Sequence, residues 1–121
     1  MSKIQRIDKA SVIKILDGQV KGKHSIVIKF YAPHCGLCHN LSDYYKEIAG
    51  SYDDIMFFAF NMDDDNGELE QKYGFYGIPT FFHVKTAGNK TKATLMPEPN
   101  EPNEHTYYRV SEIKEFIDKL K

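Results

Sequence analysis

Apolar residues along this chain occur either in continuous runs or at helical spacing. The alternation between these two patterns predicts an α/β protein. The continuous apolar runs at 25–31 and 55–60 are rich in β-branched and aromatic residues, which is typical of buried strands. Between and after these runs, apolar positions return at helical spacing. In chain order the pattern predicts strands at 3–7, 25–31, 55–60, 81–85 and 91–96, and helices at 8–16, 38–52, 67–73 and 111–120.

This order of elements, βαβαβαββα, determines the predicted architecture. Strands that alternate with helices require parallel pairing, and Ala87-Gly88-Asn89 is typical of a hairpin turn that adds an antiparallel strand. We therefore expect a central mixed sheet flanked by helices on both faces, in a single domain over residues 1–121. Prolines and acidic residues at about 97–106 predict an exposed, extended loop, which serves either as a docking element or as a spacer.

Composition and charge exclude several classes of protein. A hydrophobic fraction of 41% fits a globular chain, and a net charge of −1 provides no bulk attraction for nucleic acid. No apolar stretch reaches membrane-span length, and residues 1–17 lack the long apolar core of a signal peptide. Two cysteines are too few for a disulfide-stapled secreted scaffold. We expect a cytoplasmic protein without nucleic-acid or membrane partners.

The two cysteines, Cys35 and Cys38, stand where the strand at 25–31 gives way to a helix. Unpaired N–H groups and the positive end of the helix dipole favour a thiolate there, and a thiolate is the nucleophile of disulfide exchange. The spacing lets the pair cycle between dithiol and disulfide. Two other uses stay open: a zinc site completed by histidines, or covalent haem attachment, because His39 follows Cys38. Haem attachment leaves the strand-rich pattern unexplained.

The segment Phe30–Cys38 resembles the active site of thioredoxins and of protein disulfide isomerase catalytic domains. Gly77-Ile78-Pro79-Thr80 is similar to the loop that those proteins place against the dithiol, and the element order agrees across nearly the whole chain. The resemblance implies a thioredoxin fold and a thiol–disulfide oxidoreductase that acts on disulfide-containing proteins. Such a protein is expected to be a monomer that binds no cofactor or metal and takes electrons from a thioredoxin reductase or a small thiol.

The resemblance also implies a role for each residue of the motifs. Cys35 would attack a substrate disulfide, and the more buried Cys38 would resolve the mixed disulfide. Pro79 would follow a cis peptide bond, and the backbone of Ile78 would pair with an extended substrate segment. The alternatives are an isomerase-like or oxidising exchange, or a binding module with an idle dithiol.

Four positions depart from the family pattern and bear on how the dithiol is tuned. His34 replaces a tryptophan and, if protonated, adds positive charge near Cys35, whereas Leu37 replaces a proline or histidine. Lys29 stands where the family has a buried carboxylate, and the lysine that accompanies this carboxylate corresponds to Ala59. We hypothesise that Lys29 lies under the cysteines, lowers a cysteine pKa and accepts a proton. Alternatively, its amine reaches solvent at the end of the strand.

Overall fold

Five strands form one mixed sheet, and their bounds follow the predicted apolar runs closely. The computed structural model describes residues 3–121. The strands are β1 (Ile4–Arg6), β2 (His24–Tyr31), β3 (Met56–Asn61), β4 (Thr80–Ala87) and β5 (Lys90–Leu95). Their spatial order is β1-β3-β2-β4-β5. The β1–β3 and β2–β3 pairs are parallel, whereas β2–β4 and β4–β5 are antiparallel, so the predicted mixed sheet is confirmed.

Four α-helices cover the two faces of this sheet, as the sequence predicts. They are α1 (Lys9–Leu16), α2 (Gly36–Gly50), α3 (Glu68–Tyr73) and α4 (Val110–Leu120). A short 3₁₀ turn at Met62–Asp64 lies between β3 and α3, and the remaining order is the predicted βαβαβαββα. Within residues 3–121, every helix falls short of the length and apolar character that crossing a bilayer requires.

Alternation of side chains along the strands divides the core into two halves. Val27 of β2 packs with Leu41 of α2 and Ile113 of α4. Its neighbour Ile28 points to the opposite face, where it packs in the cluster that includes Leu69 of α3. Because β2 is covered on both faces, its residues from Ile26 to Tyr31 are apolar except for Lys29. β2, the central strand, is therefore a well-packed support for the cysteine-containing segment that follows its carboxyl end.

Helix α2 begins at Gly36 and ends at Gly50, two residues earlier at each end than predicted. The first difference has a specific cause, because Cys35 is the N-cap: its sulfur accepts a hydrogen bond from the backbone N–H of Cys38 at 3.1 Å. Ser, Thr, Asp and Asn are the usual N-cap residues, so propensity alone does not predict a cysteine there. The difference of two residues at the C-terminal end is ordinary for helix boundaries.

Residues 96–109, the connection between β5 and α4, are called the 96–109 segment. The loop predicted within it at about 97–106 is expected to be extended, but the segment folds back on itself. Asn103 and Tyr107 form an antiparallel bridge through backbone hydrogen bonds of 2.9 and 2.8 Å. The side-chain oxygen of Asn103 accepts a hydrogen bond from the backbone N–H of Thr106 at 3.2 Å. Thr106 is buried, and its hydroxyl donates to the carbonyl of Tyr108 at 2.8 Å. An asparagine-centred turn therefore orders the segment.

Candidate active site

A disulfide joins Cys35 and Cys38 at the junction between β2 and α2, with the two Cα atoms 5.3 Å apart. Cys38 is 2% exposed, whereas Cys35 is only partly buried. This difference in burial fits the attacking and resolving roles that the resemblance implies. The Cys35 sulfur lies at the N-terminus of α2 and accepts the N–H of Cys38, so the helix dipole would stabilise a thiolate formed at Cys35.

Lys29 lies beneath the start of α2 with its amine buried. The residue is 4% exposed, and its Nζ donates a hydrogen bond to the backbone carbonyl of Cys38 at 3.0 Å. The same nitrogen lies 5.5 Å from the centre of the Tyr45 ring. None of the ion pairs formed among residues 3–121 includes Lys29. Burial without a counter-ion lowers the pKa of Lys29 to about 8.

A cleft of about 510 Å³ links this amine to the surface. The buried residues Lys29 and Cys38 line it together with the exposed residues Arg6 and Lys46. Ala59 lies opposite Lys29 in the β2–β3 register and also lines the cleft, and its small side chain leaves the space open. The described lining residues include no aspartate or glutamate. Water can therefore reach the neighbourhood of Lys29, and the cleft is electropositive.

The loop before β4 lines a groove together with Leu37, which lies between the two cysteines. The Ile78–Pro79 peptide bond is cis, and Pro79 is buried. The carboxylate of Glu70 accepts a hydrogen bond from the N–H of Gly77 at 2.7 Å, and the hydroxyl of Thr80 donates to the carbonyl of Gly77 at 2.9 Å. These two bonds fix the turn on both sides of Ile78. The turn can therefore hold a backbone edge in place beside the disulfide.

His34 lies on the rim of the site, as expected for the residue before the first cysteine. Its side chain is 78% exposed, and its Nδ1 is 3.9 Å from a carboxylate oxygen of Asp63. That carboxylate would offset part of any positive charge on the imidazole. The predicted influence of His34 on Cys35 therefore stays a prediction.

Among residues 3–121, His, Cys, Asp and Glu side chains form no group of three or more that could hold a metal ion.

Two contributors to the site are not evident from the sequence. Tyr45 is predicted only as an apolar position of α2, but its hydroxyl donates to the carbonyl of Phe58 at 2.8 Å while its ring lies beside the Lys29 amine. Glu70 is one of several charged residues on α3, and only the three-dimensional structure places it against Gly77. The helical spacing of Tyr45 after Cys38 was the one available signal, since it puts both residues on the inner face of α2.

These features define a class of protein: an α/β domain with a cysteine pair at a helix N-terminus, beside a loop that contains a cis-proline. A cysteine pair in this setting has the chemistry that thiol–disulfide exchange requires. Comparison with family models identifies the particular family: the thioredoxin model matches residues 11–101. The chain belongs to the thioredoxin family, and its α/β architecture is the thioredoxin fold.

Individual relatives and solved structures agree with this assignment. Thioredoxin F2, a chloroplastic protein of Arabidopsis thaliana, is 27% identical over 85 residues, which are 70% of this chain and 45% of the relative. Protein disulfide isomerase-like 2-2 of Oryza sativa subsp. japonica is 44% identical over 69 residues, which are 54% of this chain and 18% of the relative. The chain thus spans less than half of these curated relatives. The structure of Trichomonas vaginalis thioredoxin has a TM-score of 0.70 and 27% identity, and the match covers 100% of both chains.

Proposed function

We propose that this chain acts as a thiol–disulfide oxidoreductase on protein substrates, with disulfide reduction as its main reaction. The observation that carries the proposal is the unequal burial of the two cysteines at the N-terminus of α2, beside the Ile78–Pro79 turn. The partly exposed sulfur can meet a large substrate, and the buried sulfur can reach only its partner. An idle pair in a binding module would not need this asymmetry.

The reaction balances with two electrons from the dithiol. The thiolate of Cys35 attacks one sulfur of a substrate disulfide, so that a mixed disulfide forms and the first substrate thiolate leaves. The thiolate of Cys38 then attacks the Cys35 sulfur, which releases the second substrate thiolate and forms the Cys35–Cys38 disulfide seen in the structure. During the first step the backbone of Ile78 would pair with the substrate segment next to its cysteine.

Lys29 is proposed to promote the second step. Its pKa of about 8 leaves it mostly protonated at pH 7, and a cation next to Cys38 favours the thiolate that the step requires. The fraction that is already neutral can accept the Cys38 proton, and this fraction rises as the pH approaches 8. The cleft lined by Arg6 and Lys46 then lets that proton exchange with water. Lys29 is thus a positioning and proton-exchanging residue, because substrate does not touch it.

Titration of the cysteines in the reduced Lys29→Met variant tests this role. Loss of the nearby cation should raise the pKa of the Cys38 thiol by about one pH unit or more. Lys23→Met is the matched control, since it removes a lysine charge from an exposed position before β2. The alkylation rate of each thiol as a function of pH, resolved by mass spectrometry, provides the measurement. Unchanged thiol pKa values in Lys29→Met would rule out the proposed role.

Direction of flux is tested by equilibrating the protein with glutathione redox buffers and by following insulin reduction with dithiothreitol as electron source. A reductase is expected to reduce insulin catalytically and to have a reduction potential near about −270 mV. A potential closer to about −180 mV would instead favour the isomerase-like or oxidising alternative. His34, Leu37 and Lys29 are the departures from the family pattern that could move the potential between these values.

A thioredoxin reductase or a small thiol is the proposed electron donor. One similar solved structure, with 22% identity and a TM-score of 0.70, is a complex of a ferredoxin:thioredoxin reductase with thioredoxin f2. This likeness in fold supports a reductase as one class of donor. Disulfide-containing proteins are the proposed substrates. The cytoplasmic location and the monomeric state stay predictions.

A further inference from the structure

A second cavity begins at the dithiol on the side away from the Lys29 cleft. This groove of about 340 Å³ starts at Leu37, between the two cysteines, and runs along Ile78 and Pro79 to the 96–109 segment. It lies against the start of β4 and the end of β5, whereas the Lys29 cleft lies against β1 and β3. A substrate segment that pairs with Ile78 would therefore extend into this groove.

The far wall of the groove comes from the 96–109 segment. Glu98, Tyr107 and Tyr108 line this wall, and Tyr76, which is 89% exposed, stands on the rim of the near wall. Glu98 is the one charged residue among the described residues that line the groove. Its carboxylate lies close to both tyrosines and adds to the effect of burial in raising the pKa of each hydroxyl. The groove thus combines aromatic rings with a single negative charge.

The structure holds this wall in place. Tyr107 has a φ of 65°, and among residues 3–121 it is the one non-glycine residue with a positive φ. For a tyrosine this backbone conformation is costly and persists only where its surroundings determine it. The Asn40 side chain donates to the carbonyl of His105 at 2.8 Å, so the segment is tied to α2. Arg109 donates to the carbonyl of Glu101 at 2.7 Å and closes its other end.

We propose that this wall makes the domain select disulfides that are flanked by a basic side chain. A lysine or arginine next to the substrate cysteine could pair with Glu98 and lie over the rings of Tyr76 or Tyr107, since both rings and carboxylates attract cations. An acidic neighbour would meet Glu98 with repulsion. The inference rests on the proposed function, because it concerns the substrate of the same dithiol, and it makes the 96–109 segment a docking element.

The test compares three otherwise identical disulfide-linked peptides with Lys, Ala or Glu next to one cysteine. For each peptide, kcat/KM is measured with dithiothreitol as electron source, at low and at high salt. The parent protein should prefer the Lys peptide over the Glu peptide by roughly 3- to 10-fold at low salt, because a partly exposed charge pair is worth no more. High salt should reduce this preference.

Three variants separate the effect of the groove from the overall charge of the segment. Glu98→Gln should bring the preference close to 1, and Glu98→Lys should invert it. Glu104→Gln removes an exposed acidic residue of the same segment that does not line the groove, and it should keep the parent's preference. Equal rates for the Lys and Glu peptides in the parent, or an equal loss in Glu104→Gln, would overturn the inference. Absence of turnover with all three peptides would instead overturn the proposed function.

Discussion

Cys35→Ser is expected to lower insulin reduction by three orders of magnitude or more, because a serine hydroxyl is not ionised at neutral pH and cannot form a mixed disulfide. Cys38→Ser should also stop turnover, but at a different stage. Its Cys35 thiolate can still attack, and the product then lacks the sulfur that resolves it. The expected result is a stable covalent adduct with substrate in Cys38→Ser and none in Cys35→Ser.

Non-reducing electrophoresis of each variant after incubation with insulin gives the readout, and dithiothreitol should release the captured chain. The two variants control for each other, since both remove the disulfide and one thiol. A domain whose cysteines are only structural would give no adduct with either variant. An adduct formed mainly by Cys35→Ser would mean that the attacking and resolving roles are reversed, contrary to the observed burial of Cys38.

Lys29→Met is expected to stabilise the oxidised protein at pH 7. Burial lowers the pKa of Lys29 from 10.5 to about 8, and at 1.36 kcal/mol per pH unit this difference corresponds to about 3 kcal/mol. Methionine also loses the hydrogen bond to Cys38, which offsets about 1 to 2 kcal/mol. A net gain of about 1 to 2 kcal/mol in the free energy of unfolding should remain, and denaturant titration would measure it.

The pH dependence of this stability difference is the more specific test of whether Lys29 is buried. Between about pH 8 and 10.5 the unfolded chain still holds the Lys29 proton while the folded protein has released it, so the stability of the parent rises with pH through this window. The advantage of Lys29→Met should therefore shrink steadily from pH 8 to 10, and it should be constant below about pH 7. Lys23→Met provides the comparison for an exposed lysine. An advantage that does not change with pH would show that Lys29 is solvated in the folded protein.

The sequence predicts much of the fold because the central strands of the sheet have a clear apolar pattern. Apart from Lys29, residues 26–31 of β2 are apolar, and so are residues 56–60 of β3, which is typical of strands covered on both faces. Asp8, at the start of the first predicted helix, is one of the usual N-cap residue types, and it accepts a hydrogen bond from the N–H of Ser11 at 2.8 Å. Two separate sequence motifs, Cys35–Cys38 and Gly77–Thr80, pointed to the dithiol and to Pro79.

Two features could not be predicted from the sequence, because they depend on contacts between segments that are distant along the chain. A lysine in an apolar strand either reaches solvent or stays buried, and only the packing of α2 over β2 shows that Lys29 stays buried. The 96–109 segment has the composition of a solvated spacer. Its order comes from hydrogen bonds around Asn103 and from the contact between Asn40 and His105, which no local pattern reveals.

In the proposed reaction, the two cavities on opposite sides of the dithiol would give protons and substrate separate routes. A peptide that occupies the groove beside Pro79 covers the β4–β5 side of the site and leaves the cleft over β1 and β3 open to water. Cys38 can therefore lose its proton while the mixed disulfide is still covered by the substrate. Ala59 leaves the cleft unfilled, so that water would keep access to the Lys29 amine whatever the size of the bound protein.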